Sequence, residues 1–203
     1  MEQTANHIIL RGSLASMPQF SHENHGRRFF RFLLEVPRLS GAVDVLPVIA
    51  REDVLNAMEL SDGDMLTISG QVRSHNVRED GRRRLLIFVF ANLIVCEDGE
   101  PLNEVVLEGP LCREPVYRKT PLGREICDMM LAVPRAFQRA DYLPCILWGR
   151  TAVEGAQYHT RDILRITGRL QSRTYIKVTE TGSEERTAYE ISALTAEPVE
   201  KDT

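Results

Sequence analysis

The second half of the chain repeats the first half at a nearly constant spacing. Many residues of the first half are identical to the residue 97 positions later in the second half. After a single one-residue slip, the spacing becomes 98 positions. A register held over about 70 residues indicates two copies of one domain, and 203 residues suffice for two domains of about 100 each. The matching pairs include Asn6 with Asn103, Leu10 with Leu107, Gly12 with Gly109, Asp44 with Asp141, Asp64 with Asp162, Gly70 with Gly168, and Ser74 with Ser172.

The repeat divides the chain into four segments. We predict a first domain at 1–96, a linker at 97–102, a second domain at 103–196 and a short acidic tail at 197–203. Asp98, Gly99 and Pro101 mark the linker as a turn, and charge replaces the apolar pattern there. Because the linker is short, we expect the two domains to pack against each other.

Each copy reads as five strands with a short helix between the third and the fourth. A proline in each third strand, Pro47 or Pro144, indicates an edge or a bulge. Five strands with a helix in this place are the layout of the OB barrel, whereas a β-sandwich usually has about seven strands. We therefore predict an all-β chain of two tandem five-stranded OB-fold barrels. The predicted strands are 6–12, 29–36, 45–50, 65–74 and 84–91 in the first copy, and 103–109, 126–133, 142–148, 163–175 and 187–193 in the second; the helical turns are 53–59 and 151–158.

The net charge of −4 is unevenly distributed along the chain. Residues 1–96 carry 11 basic and 11 acidic side chains, and residues 103–196 carry 13 and 12, so the deficit lies in the linker and the tail. Each domain is near neutral and is able to present a basic face. Of the 25 basic residues, 22 are arginine, the side chain that binds phosphates through two parallel hydrogen bonds.

Three segments of the second copy carry a family resemblance. They are Asn103-Glu-Val-Val-Leu-Glu-Gly-Pro-Leu111, Asp141-Tyr-Leu-Pro-Cys-Ile-Leu-Trp-Gly-Arg150 and Asp162-Ile-Leu-Arg-Ile-Thr-Gly-Arg-Leu-Gln-Ser-Arg-Thr-Tyr175. This copy closely resembles the bacterial single-stranded-DNA-binding protein family, and the first copy resembles it more faintly. The resemblance implies sequence-independent binding of single-stranded DNA in replication, recombination or repair. It also implies an assembly of four OB domains, which a tandem chain reaches as a homodimer.

The resemblance places base stacking at Tyr142, Trp148 and Tyr175. Stacking on aromatic faces contributes ~1–3 kcal/mol per base and does not read sequence. The alternative is that these three rings belong to the core. At the equivalent positions the first copy has no aromatic residue, so we predict that the second domain makes most of the base contacts. These first-copy positions are Val45, Arg51 and Val77.

Arginines supply the predicted phosphate contacts. Arg83 belongs to a basic run that follows the Glu79-Asp80-Gly81 turn of the hairpin between the fourth and fifth strands. A solvated hairpin tip is the alternative interpretation of that run. The predicted contacts are Arg135, Arg139, Arg150, Arg169 and Arg173 in the second domain, and Arg28, Arg38, Arg51, Arg73 and Arg83 in the first.

Signals for other chemistry are missing from the sequence. The cysteines, at 96, 112, 127 and 145, form no close pair, and we interpret them as small buried residues in a reducing compartment. No histidine has Cys or carboxylate partners at ligand spacing, and there is no phosphate-binding loop or nucleophile elbow. We therefore predict no metal, no cofactor, no small-molecule substrate and no enzymatic activity.

The two ends of the chain complete the expectations. The chain contains no apolar run of ~18–20 residues and begins without a signal-peptide pattern, so we expect a cytoplasmic protein with no membrane partner. The resemblance implies an acidic C-terminal tip with a terminal Phe, and the chain ends in Thr203 without one. Two other functions stay open: a primosome-type OB adaptor in replication restart, and a protein-interaction module that binds no nucleic acid.

Overall fold

The computed structural model describes residues 5–56, 58–79, 81–179 and 182–199, and these fold into two β-barrels. The first barrel has six strands and one short helix. The helix follows β4, as predicted, and includes only four residues. The elements of the first barrel are β1 (Asn6–Leu14), β2 (Gln19–Asn24), β3 (Arg27–Pro37), β4 (Val43–Arg51), α1 (Glu52–Leu55), β5 (Met65–Glu79) and β6 (Arg82–Cys96).

The second barrel repeats this order. Each copy contains the five predicted strands and the predicted helix, which confirms the expected fold class. Each also has one more strand, β2 or β8, which pairs with the strand that follows it in the chain. The elements of the second barrel are β7 (Leu102–Pro110), β8 (Val116–Lys119), β9 (Glu125–Arg135), β10 (Arg139–Trp148), α2 (Arg150–Gly155), β11 (Ile163–Thr179) and β12 (Gly182–Pro198).

Strict alternation builds the interior of each barrel. In β1 every second residue is buried, so Ile8, Leu10 and Leu14 point inward. This strand pairs with β5 along most of its length and with β3 at its end, which closes the first barrel. An isolated bridge between Leu111 and Leu131 closes the second barrel in the same way. Closure buries the inward side chains of each copy and leaves only the short strands β2 and β8 at the edges of the sheet.

The glycines that recur in the repeat lie where two strands approach most closely. A Cβ atom added to Gly12 would lie 2.2 Å from the carbonyl oxygen of Glu35, and one added to Gly70 would lie 2.2 Å from that of Phe90. A Cβ atom added to either of their equivalents in the second copy, Gly109 or Gly168, would lie 2.3 Å from a backbone oxygen. Any side chain would push these strands apart, so barrel closure explains why both copies retain glycine there.

Strands β1 and β7 join the two barrels into one twelve-stranded sheet. They pair antiparallel, with Asn6 opposite Leu107 and Leu10 opposite Asn103. Because Asn6 is equivalent to Asn103 and Leu10 to Leu107, this register relates the two copies by an approximate two-fold axis between the strands. The extended backbone groups of one barrel therefore find their partners in the other.

An asparagine side chain extends the sheet in each copy, buried at Asn6 and partly buried at Asn103. The side chain of Asn6 donates a hydrogen bond to the carbonyl oxygen of Val72 (2.7 Å) and accepts one from the Val72 amide (2.9 Å). Asn103 makes the same pair of bonds with Leu170, at 2.7 and 2.9 Å. Each side chain thus imitates a strand backbone, which requires an amide that both donates and accepts.

Two expectations at the level of single residues need correction. Cys127 and Cys145 are buried, but Cys96 and Cys112 are exposed, so the prediction of four buried thiols is wrong for those two. Burial raises the pKa of Cys127 to about 11, and that of Cys145 is raised further for the same reason. The last strand also runs to Pro198, into the predicted tail, whose residues 200–203 lie outside the described part of the chain.

None of the helices in the described ranges is both long and apolar enough to span a membrane.

We predict that Gly70→Ala lowers the free energy of unfolding by about 2–3 kcal/mol, because the new methyl group must displace the backbone of β6. Urea denaturation followed by circular dichroism measures the change. Ser69→Ala on the adjacent outward position is the control and should change stability by less than about 0.5 kcal/mol. Equal midpoints for the glycine variant and the wild type would contradict the packing argument.

Candidate nucleic-acid interface

The outer side of β10 carries two of the three predicted stacking residues. Leu143, Cys145 and Leu147 point into the core, so the alternate residues Tyr142 and Trp148 point outward. The side chain of Tyr142 is 45% exposed and that of Trp148 is 40% exposed. Neither ring belongs to the buried core, so the alternative of core aromatics does not describe them.

Trp148 lies in a basic groove on the outer face of the second barrel. Ile126, which is paired with Trp148 across β9 and β10, also lines the groove. Within the described ranges, six arginines and two carboxylates line it, so the groove is positive within a chain of net charge −4. Such a surface attracts a polyanion, and an exposed indole inside it offers a face to a base. The charged lining residues are Arg38, Arg113, Arg118, Arg124, Arg169, Arg173, Asp128 and Glu190.

Tyr175 occupies a different place from the other two predicted aromatics. It lies on the long hairpin of β11 and β12, 38% exposed, with the guanidinium of Arg173 positioned 5.6 Å from the centre of its ring. There it faces Pro47 and Phe88 of the first barrel across a second cleft. The structure therefore places Tyr142 and Trp148 on the same face of β10, at its two ends, and Tyr175 between the barrels.

The predicted phosphate-binding arginines fall into three groups. Arg83, Arg139 and Arg169 have no carboxylate within 4.0 Å among the described residues, which leaves their charge available to a ligand. A second group pairs with carboxylates of its own barrel at distances of 2.5–3.4 Å, and of these carboxylates only Glu190 is buried: Arg28 with Glu52, Arg51 with Asp53, Arg150 with Glu154 and Arg173 with Glu190. The third group contacts buried carboxylates between the barrels.

Asp44 connects the first barrel to the second. It is 1% exposed, and its Oδ1 accepts hydrogen bonds from the amide (2.6 Å) and the hydroxyl (3.2 Å) of Ser172. Arg38 donates from Nε to Asp44 Oδ2 at 2.7 Å and from Nη2 to the Ser172 carbonyl at 2.9 Å. Hydrogen bonding to Asp44 raises the pKa of Arg38, which thus stays charged.

Asp141 makes the reciprocal connection from the second barrel to the first. It is fully buried, and its Oδ1 accepts a hydrogen bond from the amide of Ser74 at 2.7 Å. Arg135 approaches the same oxygen at 3.3 Å, and Arg73 approaches Oδ2 at 3.6 Å. Burial, and then repulsion from Arg135, lower the pKa of Arg73. We name the two carboxylates with their serines, Asp44–Ser172 and Asp141–Ser74, the inter-barrel clasps.

The clasps bear on the predicted roles of three arginines. Arg38, Arg73 and Arg135 each direct the guanidinium at a buried carboxylate. Arg73 reaches Asp141 of the other barrel, and Arg38 also donates a hydrogen bond to the Ser172 carbonyl of the other barrel. Their roles as phosphate contacts stay predictions. Arg38 also lines the groove of Trp148, so a clasp lies at the edge of the basic surface.

The match to a known protein family covers the second half of the chain. The single-strand binding protein family matches residues 102–199, which span the second barrel. Single-stranded DNA-binding protein B of Bacillus subtilis is 36% identical over 80 residues, covering 36% of this chain and 71% of that protein. The chain belongs to the single-strand binding protein family. Single-stranded DNA-binding protein 1 of Staphylococcus aureus is 40% identical over 81 residues, with coverages of 36% and 48%.

Solved structures extend the similarity of this family member to both barrels. The wild-type single-stranded DNA binding protein from Thermus aquaticus superposes with a TM-score of 0.80 at 22% identity, covering 98% of this chain and 94% of that one. That likeness establishes the two-barrel fold. The chain spans about half the length of the curated relatives it matches first, 56% and 48% of them.

Phe137 is the most exposed of the aromatic residues that the sequence did not single out. Phe137 is 94% exposed in the turn between β9 and β10, where it and Gln138 have positive φ angles of 61° and 54°. The turn holds the ring in solvent beside the strand that carries Tyr142. A signal was present in the sequence, since an aromatic residue between Arg135 and Arg139 in a predicted connection has no core to enter.

Within the described residues, no three His, Cys, Asp or Glu side chains are grouped so as to hold a metal ion.

We predict that Asp141→Asn lowers the free energy of unfolding by about 2 kcal/mol, because Arg73 and Arg135 lose their buried counter-charge. Urea denaturation tests this. The matched control is Asp53→Asn, which removes an exposed carboxylate paired with Arg51 and should cost less than about 1 kcal/mol. Similar losses in both variants would mean that the clasp contributes nothing beyond a surface ion pair.

Proposed function

We propose that this chain binds single-stranded DNA without reading its sequence, with bases stacked on Tyr142 and Trp148. The observation that carries the proposal is the exposed indole of Trp148 within a groove of six arginines and two carboxylates. Stacking supplies affinity for any base, and the arginines neutralise the phosphates that accompany it. In the second barrel, Arg139 and Arg169 are the predicted contacts whose guanidinium groups have no carboxylate within 4.0 Å among the described residues.

The names of the relatives support the choice of ligand. The proteins from Bacillus subtilis, Staphylococcus aureus and Thermus aquaticus are all called single-stranded DNA-binding proteins. The matched region is the second barrel, where Tyr142 and Trp148 lie. We propose that the domain division follows the linker at 97–102, and that the second domain makes most of the base contacts in the groove of Trp148.

We also propose that two copies of the chain associate to give four OB domains. The outer face of the sheet around β1 and β7 supports this, because exposed apolar side chains lie among the polar ones on that face. Leu93 and Ile9 lie in one row across β6, β5 and β1, with Ser69 between them. Val95 and Leu194 are exposed near the two edges of the same face. A second copy of the face would cover these side chains.

The single Trp allows a direct test of DNA binding. Adding oligo-dT to the full chain should quench Trp148 fluorescence, and the affinity should fall as salt rises because counterions are released on binding. Anisotropy of a labelled oligo-dT then compares variants that lack the Trp. Trp148→Ala should weaken binding by about 1–3 kcal/mol, while Trp148→Phe retains a stacking face and loses less.

Arg51→Ala, at the equivalent position of the first barrel, is the matched control and should cost less than Trp148→Ala. Equal losses at the two positions would contradict the dominance of the second barrel. Absence of quenching together with absence of binding at low salt would overturn the proposed function.

We predict that Leu93→Glu shifts the chain from dimer to monomer, because burying a carboxylate against its own copy across a two-fold axis is unfavourable. Sedimentation equilibrium of the full chain measures the mass. Leu122→Glu places the same charge on an exposed residue between β8 and β9 and should leave the dimer intact. A wild-type chain of monomer mass would exclude the homodimer.

A further inference from the structure

The two barrels enclose a second cleft that the sequence analysis did not foresee. One wall is the outer face of the first barrel, and the other is the hairpin of β11 and β12 from the second. The first wall includes Arg31, Pro47, Ile49 and Phe88, and the second wall includes Tyr175 and Lys177. The cleft is therefore built by both copies of the repeat.

The cleft is positively charged. Among the described residues, Arg31, Arg83, Arg84, Lys177 and Arg186 line it together with one carboxylate, that of Glu184. Arg31 is exposed, and it has no carboxylate within 4.0 Å among the described residues. Five cations and one anion in a concave surface create a strong local positive potential, although the whole chain carries −4. The ligand that fits such a cleft is anionic.

Aromatic rings stand on the first wall at positions where the second barrel has none. Phe88 and Phe90 alternate along β6 with the buried Ile87 and Val89, so they point outward. The second copy has Glu190 and Ser192 there, since Ile49 pairs with Phe90 in the first barrel and Ile146 pairs with Ser192 in the second. The first barrel has therefore not lost its outward aromatics; they stand on a different strand.

A row of rings continues from Phe90 across the face. The centres of the Phe90 and Phe29 rings are 6.2 Å apart, and His22 stacks on Phe29 at 4.7 Å with nearly parallel planes. Arg73 lies 5.6 Å from the centre of Phe90. These rings cover one another, whereas Phe88 and Tyr175 line the open cleft. Tyr189 also lines the cleft but packs against the core, so Phe88 and Tyr175 are the rings that we expect to meet a ligand.

The cleft and the groove of Trp148 are adjacent, because Pro144 on β10 lines both. A flexible polyanion with planar groups can follow such a path from one surface to the other. A folded acidic protein segment would satisfy the charge, but it would leave the outward rings without flat partners. Single-stranded nucleic acid supplies both the charges and the planes.

We propose that the first barrel binds a second segment of the same DNA strand in this cleft, with bases against Phe88 and Tyr175 and phosphates at Arg31 and Lys177. This inference rests on the proposed function for the class of ligand. It assigns binding residues at positions on β3 and β6 that the comparison of the two repeats alone leaves out. A strand that leaves Trp148 then passes Pro144 and enters the cleft.

Length dependence of binding tests the proposal with the full chain. An OB fold covers ~4–16 nucleotides, so an oligo-dT of about 8 residues fills one surface and one of about 30 spans both. Phe88→Leu should weaken binding of the longer strand about fivefold or more, and Phe88→Tyr, which keeps the ring, should not. Arg31→Gln should lower the salt slope for the longer strand by about 0.7. Quenching of Trp148 by the short strand should be the same in all three variants.

Arg161→Gln is the matched control, because it removes the same charge from an exposed loop outside both surfaces. Thermal melting followed by circular dichroism checks that each variant is folded, and Arg31 is exposed enough that its variant reports on charge alone. If Phe88→Leu and Arg31→Gln both match Arg161→Gln while Trp148 is quenched normally, the cleft proposal is overturned and the proposed function survives.

If Trp148 is not quenched in the wild type by either strand, the proposed function fails instead. Polyglutamate provides the remaining comparison. Displacement of the longer strand by polyglutamate at equal charge concentration, with no effect of Phe88→Leu, would show a site for acidic protein segments and would also overturn the proposal. Weak displacement with a clear effect of Phe88→Leu supports a nucleic-acid site.

Discussion

The antiparallel pairing of β1 with β7 is the constraint on which the rest of the structure depends. It joins the two barrels edge to edge in one sheet, and the reciprocal clasps at Asp44 and Asp141 then hold them in one orientation. Backbone hydrogen bonds supply the register, while each buried carboxylate requires its serine and arginine partners to stay in place. Without that orientation the hairpin of β11 and β12 would not reach the first barrel, and the cleft between them would not exist.

The charges of this acidic chain are divided between two tasks. Arginines that reach across to the other barrel, such as Arg38 and Arg73, stabilise the contact between the barrels. Arginines without such partners, such as Arg31 and Arg169, lie on the two basic surfaces. Net charge alone therefore describes neither surface, because a few local imbalances set the potential that a polyanion meets at close range.

Much of the fold was predictable because the order of apolar residues and glycines along each strand reflects the barrel. Alternating burial in β1 and the recurrence of Gly70 as Gly168 are visible in the sequence, and both follow from barrel closure. The strand β2 was missed because it lies at an edge with most of its side chains exposed and has no apolar alternation. The outward position of Phe88 is not visible in the sequence, because Phe88 lies in an apolar run in which inward and outward residues look alike and because the strand that pairs in parallel with β6, β4, is distant in the chain. The inter-barrel serines are likewise invisible until the two copies are placed together.

The covalent joining of the copies has a genetic consequence. In an assembly of four identical single-barrel chains, every substitution appears four times, and a change that suits one position must be tolerated at all the others. Here the linker between β6 and β7 makes the two halves separate targets for mutation. One half can keep a tryptophan at the end of its third predicted strand while the other replaces it with Arg51 and acquires Phe88 elsewhere. Fusion thus permits a division of labour between the barrels that identical subunits cannot evolve.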